Sequence, residues 1–299
     1  VGCSVMAVNI GAIPAIAIST TSITSNTFCT GAPIAMQATP IPGATYLWQI
    51  NGLQVASSTQ STYTSGAAVP HLITDGDIVT VVVTTGAGCT IQATTTFIEN
   101  AITPGTLSPA PPTTICAGPA PTIVGTAAVG TGSVTYRWFI STDLGGTYNA
   151  IGATNSVSYT PGTVTSTTLF YREDTSELNG LPCSVNTLPY TITVAPLPVS
   201  VLIGTAASGA TLTGSGTLTV CDGEEVTFST SGGARYEFFD GTGLSRQASS
   251  TSQTFSSTTL GSGDIIFARV YNGAGCFSQT DSITINESAA IALNVTPIS

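Results

Sequence analysis

The sequence predicts an all-β chain of tandem β-sandwich units strung into an extended array. Three observations predict it. The 299 residues include 53 Thr, no Lys and only 7% charged side chains, so the surface must be solvated by Thr, Ser, Asn and Gly, and Thr favours pleated, half-buried strands. A Gly-rich cysteine turn recurs: TTGAGCTI (84–91) returns as YNGAGCFS (271–278), with a shortened echo, VGCS, at 1–4. The cysteines at 3, 89, 183 and 276 follow one another at intervals of 86, 94 and 93 residues, the period of a repeated unit.

In chain order, residues 1–14 read as the last strand of a preceding repeat, with Cys3 unpaired in this stretch. Residues 15–101 form the first complete repeat, 102–196 the second and 197–288 the third, and 289–299 (AAIALNVTPIS) resemble the opening strand AIAISTTSIT (15–24) of another. The chain therefore reads as a piece of a longer precursor. Inside each repeat an aromatic triplet recurs: YLWQI (46–50), YRWFI (136–140) and YEFFD (236–240) put Trp48, Trp138 and Phe238 in register. Such a triplet suits a central strand whose Trp or Phe fills the space between two sheets, with its Tyr partly at the surface. Further on, GDIVTVVV (76–83) and GDIIFARV (263–270) place Asp77 and Asp264 twelve residues before Cys89 and Cys276, while the middle repeat substitutes TSTTLFYRED (165–174) and a longer SELNGLPC approach. About seven short strands per repeat, punctuated by Gly, Pro, Asn and Ser, argue for a sandwich over a barrel.

Consecutive pairing joins Cys29 with Cys89, Cys116 with Cys183 and Cys221 with Cys276. Each bridge would tie the entry of an early strand to the turn before the last one, at one tip of the sandwich. Cys3 would then bridge upstream. A closed loop of about 60 residues is stabilised by roughly 4 kcal/mol on the chain-entropy model, and such bridges imply an oxidising compartment. The Pro-rich stretches ITPGTLSPAPPTT (102–114) and VAPLPV (194–199) read as extended, semi-rigid connections. Units of roughly 30 Å joined end to end make a rod on the order of 100 Å. Edge strands without Lys leave lateral pairing with other chains open.

The motifs CDGEEVTFS (221–229), the YxW strand, STDLGGTYNAIGATNSVSYTPG (141–162) and the closing GxxC turn resemble the immunoglobulin-like or PKD-like repeats of giant secreted surface proteins of Bacteroidota, gliding adhesins among them. That resemblance implies tandem immunoglobulin-like/PKD-like β-sandwich domains, an extracellular bacterial cell-surface location, type IX secretion and a filament or adhesin-stalk role. Neighbouring repeats of the same long chain are the implied partners.

Catalysis finds little support. A net charge of -10 repels the phosphate backbone, which excludes nucleic acid as a partner. Apolar runs such as GAIPAIAI (11–18) are broken by Gly and Pro and fall short of the ~20 residues of a membrane span. His71 sits in a predicted loop with no nucleophile motif nearby. Asp75 and Asp77 flank an Asp-Gly turn without the closing Glu of a calcium loop. Glu173, Asp174 and Glu177 read as a solvated loop, since one short segment cannot place two carboxyls on opposite sides of a sugar. Cys221 with Asp222, Glu224 and Glu225 reads as a charged turn, and Asp281-Ser282-Ile283 matches a short O-glycan pattern that equally suits a strand edge. A chain with one His and no CxxC pair lacks a zinc ligand set. We therefore expect no enzyme activity, no cofactor and no metal. Two alternatives stay open: a fibre subunit in which 289–299 completes the first unit of an identical subunit by strand addition, and a carbohydrate-binding module in which Tyr46, Tyr136, Tyr236 and the Trp residues stack on surface glycans.

Overall fold

The computed structural model describes residues 15, 17–21, 25–66, 72–108, 113–152 and 155–288. The terminal strands proposed for 1–14 and 289–299, together with Cys3 and His71, lie outside the described residues. All regular structure among the described residues is β-strand, and the fold is a set of tandem β-sandwiches.

The strand ladders fall into three successive blocks. In the first, one sheet runs Ile18–Thr21, Ile34–Ala38, Thr62–Ser65 and the other Leu53–Ser58, Thr45–Ile50, Ile78–Thr84, Thr90–Thr96. A short strand, Thr27–Cys29, lies parallel to Ile98–Asn100 at the end of the block. The third block repeats this plan, with Gly216–Cys221 parallel to Ile283–Ser288. An early segment shared between both sheets, joined in parallel to the last strand, is the immunoglobulin-like arrangement. In the middle block Thr113–Ile115 is likewise parallel to Tyr190–Val194, but the opposite layer is reduced to two-residue pairings.

Side chains alternate as the pleat requires. Along Ile78–Thr84 and Ile265–Tyr271 every second residue is buried, so Val79, Val81, Val83 and their counterparts Ile266, Ala268, Val270 face inward. Three separate apolar clusters result, one per block. Trp48, Trp138 and Phe238 are fully buried at their centres. Each meets a second ring from later in the chain: Tyr63 at 5.9 Å from Trp48, Tyr159 at 5.5 Å from Trp138 and Phe255 at 5.8 Å from Phe238. This ring pair is the common centre of the three cores.

The Tyr of the triplet departs from expectation in the outer two blocks: Tyr46 and Tyr236 are buried, not partly exposed, whereas Tyr136 is half-buried as expected. In all three the hydroxyl has a job inside. The Tyr46 oxygen accepts the Ile41 amide at 2.7 Å, Tyr136 accepts Ala128 at 3.3 Å, and Tyr236 donates to the Gly233 carbonyl at 2.7 Å. One side chain thus packs the core and satisfies the loop that feeds its own strand.

The middle block corrects two further readings. Residues 102–108 are not only a semi-rigid connection but part of the block's second layer: Ile102–Thr103 and Leu107–Ser108 pair with Val129–Gly130 and Val124–Gly125. Proline's missing N–H suits such an edge. Glu173, Asp174 and Glu177 do not lie in a solvated loop but in the eleven-residue strand Thr168–Leu178, whose alternation turns Asp174 into the core beside Arg172, both 0% exposed. Arg172 donates through Nε and Nη2 to Asp174, the latter at 2.9 Å, and through Nη2 to the Thr126 carbonyl at 2.8 Å and Nη1 to that of Val157. Asp174 also accepts the Gly105 amide at 2.9 Å, and the guanidinium lies 4.5 Å from the Tyr136 ring centroid. A Cβ at Gly105 or Gly125 would collide with the guanidinium, so the backbone wraps it at glycine. With its apolar cluster the smallest of the three, the middle block relies on this satisfied ion pair to fill its interior.

Asp174→Ala leaves a buried, uncompensated guanidinium and should cost the middle block about 3–5 kcal/mol. Hydrogen exchange of 133–194 measures it, and the double change Arg172→Met with Asp174→Leu should recover most of the loss. The Trp48 Nε1–H has no hydrogen-bond partner among the described residues, whereas that of Trp138 donates to the Ser156 carbonyl at 2.8 Å. Denaturant unfolding should therefore show Trp48→Phe costing less than Trp138→Phe, by about 1 kcal/mol.

Candidate functional site

The cysteines do not pair as their spacing suggests. Cys29 bridges Cys183, with Cα atoms 5.6 Å apart, and Cys116 bridges Cys276, at 5.3 Å. The expected pairs Cys29–Cys89, Cys116–Cys183 and Cys221–Cys276 are absent, and Cys89 and Cys221 carry exposed free thiols. The reason lies in the parallel ladder. Cys29 stands opposite Asn100, and Cys89 precedes Asn100 by eleven residues of nearly continuous strand. At ~3.3 Å per residue the two cysteines of the first block are roughly 35 Å apart, far beyond the reach of a disulfide. The same holds in the third block, where Cys221 stands opposite Ser288, twelve residues beyond Cys276. Each block carries one cysteine at either end, and bridges form between successive blocks.

The two ends have distinct structures. The leading end presents a hairpin turn. In the first and third blocks it is the GAGC turn, closed by Thr85 N–H to Cys89 O at 2.9 Å and Asn272 N–H to Cys276 O at 2.8 Å. Gly88 and Gly275 take φ of 81° and 85°, where a Cβ would be strained. In the middle block Asn179 and Gly180, both at positive φ, form the tight two-residue turn that joins strands whose twist it matches. The trailing end presents the close of the early strand. Ala32 N–H donates to Cys29 O at 3.0 Å and Glu224 N–H to Cys221 O at 3.1 Å, with Gly31 and Gly223 at φ 73° and 68°.

Polar contacts accompany both bridges. The residue four before the hairpin cysteine reaches back to the preceding block: Asn179 Nδ2 donates to Thr27 Oγ1 at 2.9 Å, and Asn272 Nδ2 to the Pro196 carbonyl at 2.8 Å. At the first junction Asn100 is fully buried. It donates to the Ser176 and Leu181 carbonyls, both at 2.8 Å, and accepts from Ser176 Oγ at 2.6 Å. At the second, Ser278 Oγ donates to the Pro198 carbonyl at 2.7 Å, so the 194–199 stretch is held against the third block. Each loop closed by these bridges, spanning 154 and 160 residues, is worth on the order of 5 kcal/mol in the chain-entropy model.

The other singled-out polar residues serve turns. Asp77 accepts from Thr74 N–H at 2.8 Å and Asn51 Nδ2 at 2.7 Å, and Asp75 from Glu99 N–H at 2.9 Å. Glu224 accepts from Cys221 N–H at 2.8 Å and from Ser208 N–H. Those bonds, Ser208 foremost, hold its carboxyl below the usual range. Asp143 accepts from Ser141 Oγ at 2.6 Å and Thr147 N–H at 2.9 Å, and the Ser141 hydroxyl first, then the Thr147 amide, lower its pKa to about 2. No group of three or more His, Cys, Asp or Glu placed to hold a metal ion occurs among the described residues, and no helix there is long and apolar enough to cross a membrane.

A family model described as a domain of unknown function (DUF8696) matches residues 103–196. None of the curated proteins matches the chain. Among solved structures, the fibronectin(III)-like modules of Clostridium thermocellum CbhA are similar at 17% identity and TM-score 0.34, over 60% of this chain and 94% of that one. Extracellular domains 3–5 of Drosophila OTK overlap at 11% identity and TM-score 0.28, over 91% and 97%. Domains from titin do so at 12% and 0.31, over 91% and 100%. Scores this low carry no argument about function, and the fold assignment stands on the ladders described above.

Because the Asp143 pKa is depressed in the folded turn, its stabilisation is present above the unfolded carboxylate value of about 4. It is lost as pH falls toward 2. An NMR titration should give Asp143 a midpoint near 2, and Ser141→Ala should move that midpoint up toward the ordinary range.

Proposed function

We propose that the chain is a structural segment of an extracellular array, three disulfide-linked repeats (15–101, 102–196 and 197–288) that hold spacing and bear load without catalysis. The observation that carries this reading is the interlocking of the two bridges. The loop closed by Cys29–Cys183 and that closed by Cys116–Cys276 overlap over residues 116–183, so the middle repeat lies largely within both. A chain pulled at its ends is stopped by covalent bonds long before it is fully drawn out. Structural disulfides of this kind persist in oxidising surroundings, which supports an extracellular location.

The finer reading is a bacterial cell-surface filament or adhesin stalk of gliding-adhesin type, exported by type IX secretion in Bacteroidota. It is supported by the CDGEEVTFS, YxW and GxxC motifs. The fibre-subunit alternative gains support from Cys89 and Cys221, unbridged and exposed at opposite ends of the described chain. The glycan-platform alternative loses support from the complete burial of Trp48 and Trp138.

Single-molecule stretching between Val1 and Ser299 tests the load-bearing reading. The reduced chain should extend to about 1,000 Å, and the bridged chain to about 400 Å, since its shortest covalent route crosses both bridges, from Cys29 to Cys183, back to Cys116 and over to Cys276. Equal contour lengths with and without reductant would overturn the proposal.

A further inference from the structure

We infer that Cys116 is a site of attack for small thiols, through which the second bridge, Cys116–Cys276, is opened and the third repeat released from the second while Cys29–Cys183 holds. The inference rests on the reading of the chain as a disulfide-linked array and names the link at which a reductant unlocks it.

In thiol–disulfide exchange a thiolate reaches one sulfur and expels the other, so access to each sulfur decides which bond opens and from which side. The two ends of each bridge differ in this respect. The hairpin cysteines Cys183 and Cys276 are 4% and 2% exposed and closed to a nucleophile. Their trailing-end partners are open, but unequally. Cys29 is half-buried, follows the fully buried Thr27 and Phe28, and has its Sγ 3.8 Å from the Pro182 carbonyl oxygen. Cys116 is exposed, as are Thr114 and Ala117 beside it.

The junctions also differ in what remains once the sulfur link is broken. At the first, Thr27–Cys29 and Ile98–Asn100 pack against Leu181–Asn186, and the buried Asn100 is bonded to Ser176 and Leu181. At the second, no strands of the two blocks meet to that extent among the described residues. There the contact across the boundary is the solvent-exposed bond from Asn272 to the Pro196 carbonyl, worth about 1 kcal/mol. The accessible sulfur thus belongs to the junction with less to hold it shut.

The exchange is a two-electron reduction by two thiols. A thiolate R–S⁻ attacks Cys116 Sγ, the S–S bond breaks, and its electron pair leaves on Cys276 Sγ, which takes up a proton. A second R–S⁻ attacks the R sulfur of the mixed disulfide, giving R–S–S–R and leaving Cys116, once protonated, as a thiol.

The test uses the whole chain carrying Cys3→Ser, Cys89→Ser and Cys221→Ser, so that no free thiol competes. The folded protein is held in reduced glutathione, quenched in acid at intervals, alkylated and mapped without reductant. Glutathione on Cys116 together with alkylated Cys276 should appear first, with Cys116–Cys276 opening roughly tenfold or more faster than Cys29–Cys183. In guanidinium the two rates should converge, because the fold supplies the shielding. At the glutathione dose that opens the second bridge alone, the contour length between Val1 and Ser299 should rise from about 400 Å to about 500 Å, the route through Cys29–Cys183 only. Glutathione on Cys276, equal rates in the folded chain, or earlier opening of Cys29–Cys183 would overturn the inference. If both bridges map as described before glutathione is added, the array reading survives that result; if they are missing from the outset, both fall.

Discussion

The structure depends on one pairing, the parallel alignment of each unit's early strand with its last. Parallel strands carry their C-terminal residues to the same end, so Cys29, Cys116 and Cys221 come to lie beside the exit of their unit. The cysteine that opens the last strand, or its hairpin, stays at the entrance. Once the two thiols of a unit are separated by the length of the sandwich, no closure within a unit is possible, and a bridge can form only across a boundary. Cooperation between units follows from strand direction.

The junction chemistry builds on that constraint. A turn at the entrance of one unit brings an Asn and a cysteine to the exit of the previous one, and the exit offers Thr27 Oγ1 in one case and the Pro196 carbonyl in the other. The acceptors differ while the donor and the sulfur link are kept. A few well-placed polar groups set orientation, and the covalent bond supplies persistence. With so few charges on the chain, salt has little to screen at these contacts, whereas a thiol reductant removes the link that holds them.

The units solve the problem of filling a small core in different ways. The outer two use large apolar clusters around Trp48 with Tyr63 and Phe238 with Phe255. The middle one keeps the ring pair of Trp138 and Tyr159 but spends interior volume on Arg172 and Asp174, wrapped by glycine backbone. Burying an ion pair costs desolvation that is offset only by good hydrogen bonding, and with the Val157 and Thr126 carbonyls beside Asp174 each of the three guanidinium nitrogens has an acceptor. Its fragmentary second layer is consistent with backbone committed to the guanidinium.

The amino-acid sequence alone determined the all-β class, the repeat, the central aromatic strand and the turn positions, because each is written in local pattern: alternation, Gly at positive φ, and a triplet recurring at one place per unit. The Tyr63, Tyr159 and Phe255 partners were legible in the same way, as an aromatic flanked by Ser and Thr in each repeat, and were missed because they stand at unequal distances from the triplet. Disulfide partnership was not legible. Spacing favours the nearest cysteine, but proximity in space depends on whether the early strand runs with or against the last one, and both directions fit the same residues. Asp174 shows the same limit: period-two alternation places it opposite Glu173, yet only the packed sheet decides which face is inside. Tertiary structure settled these points because strand direction and sheet facing are properties of pairs of segments far apart in the chain.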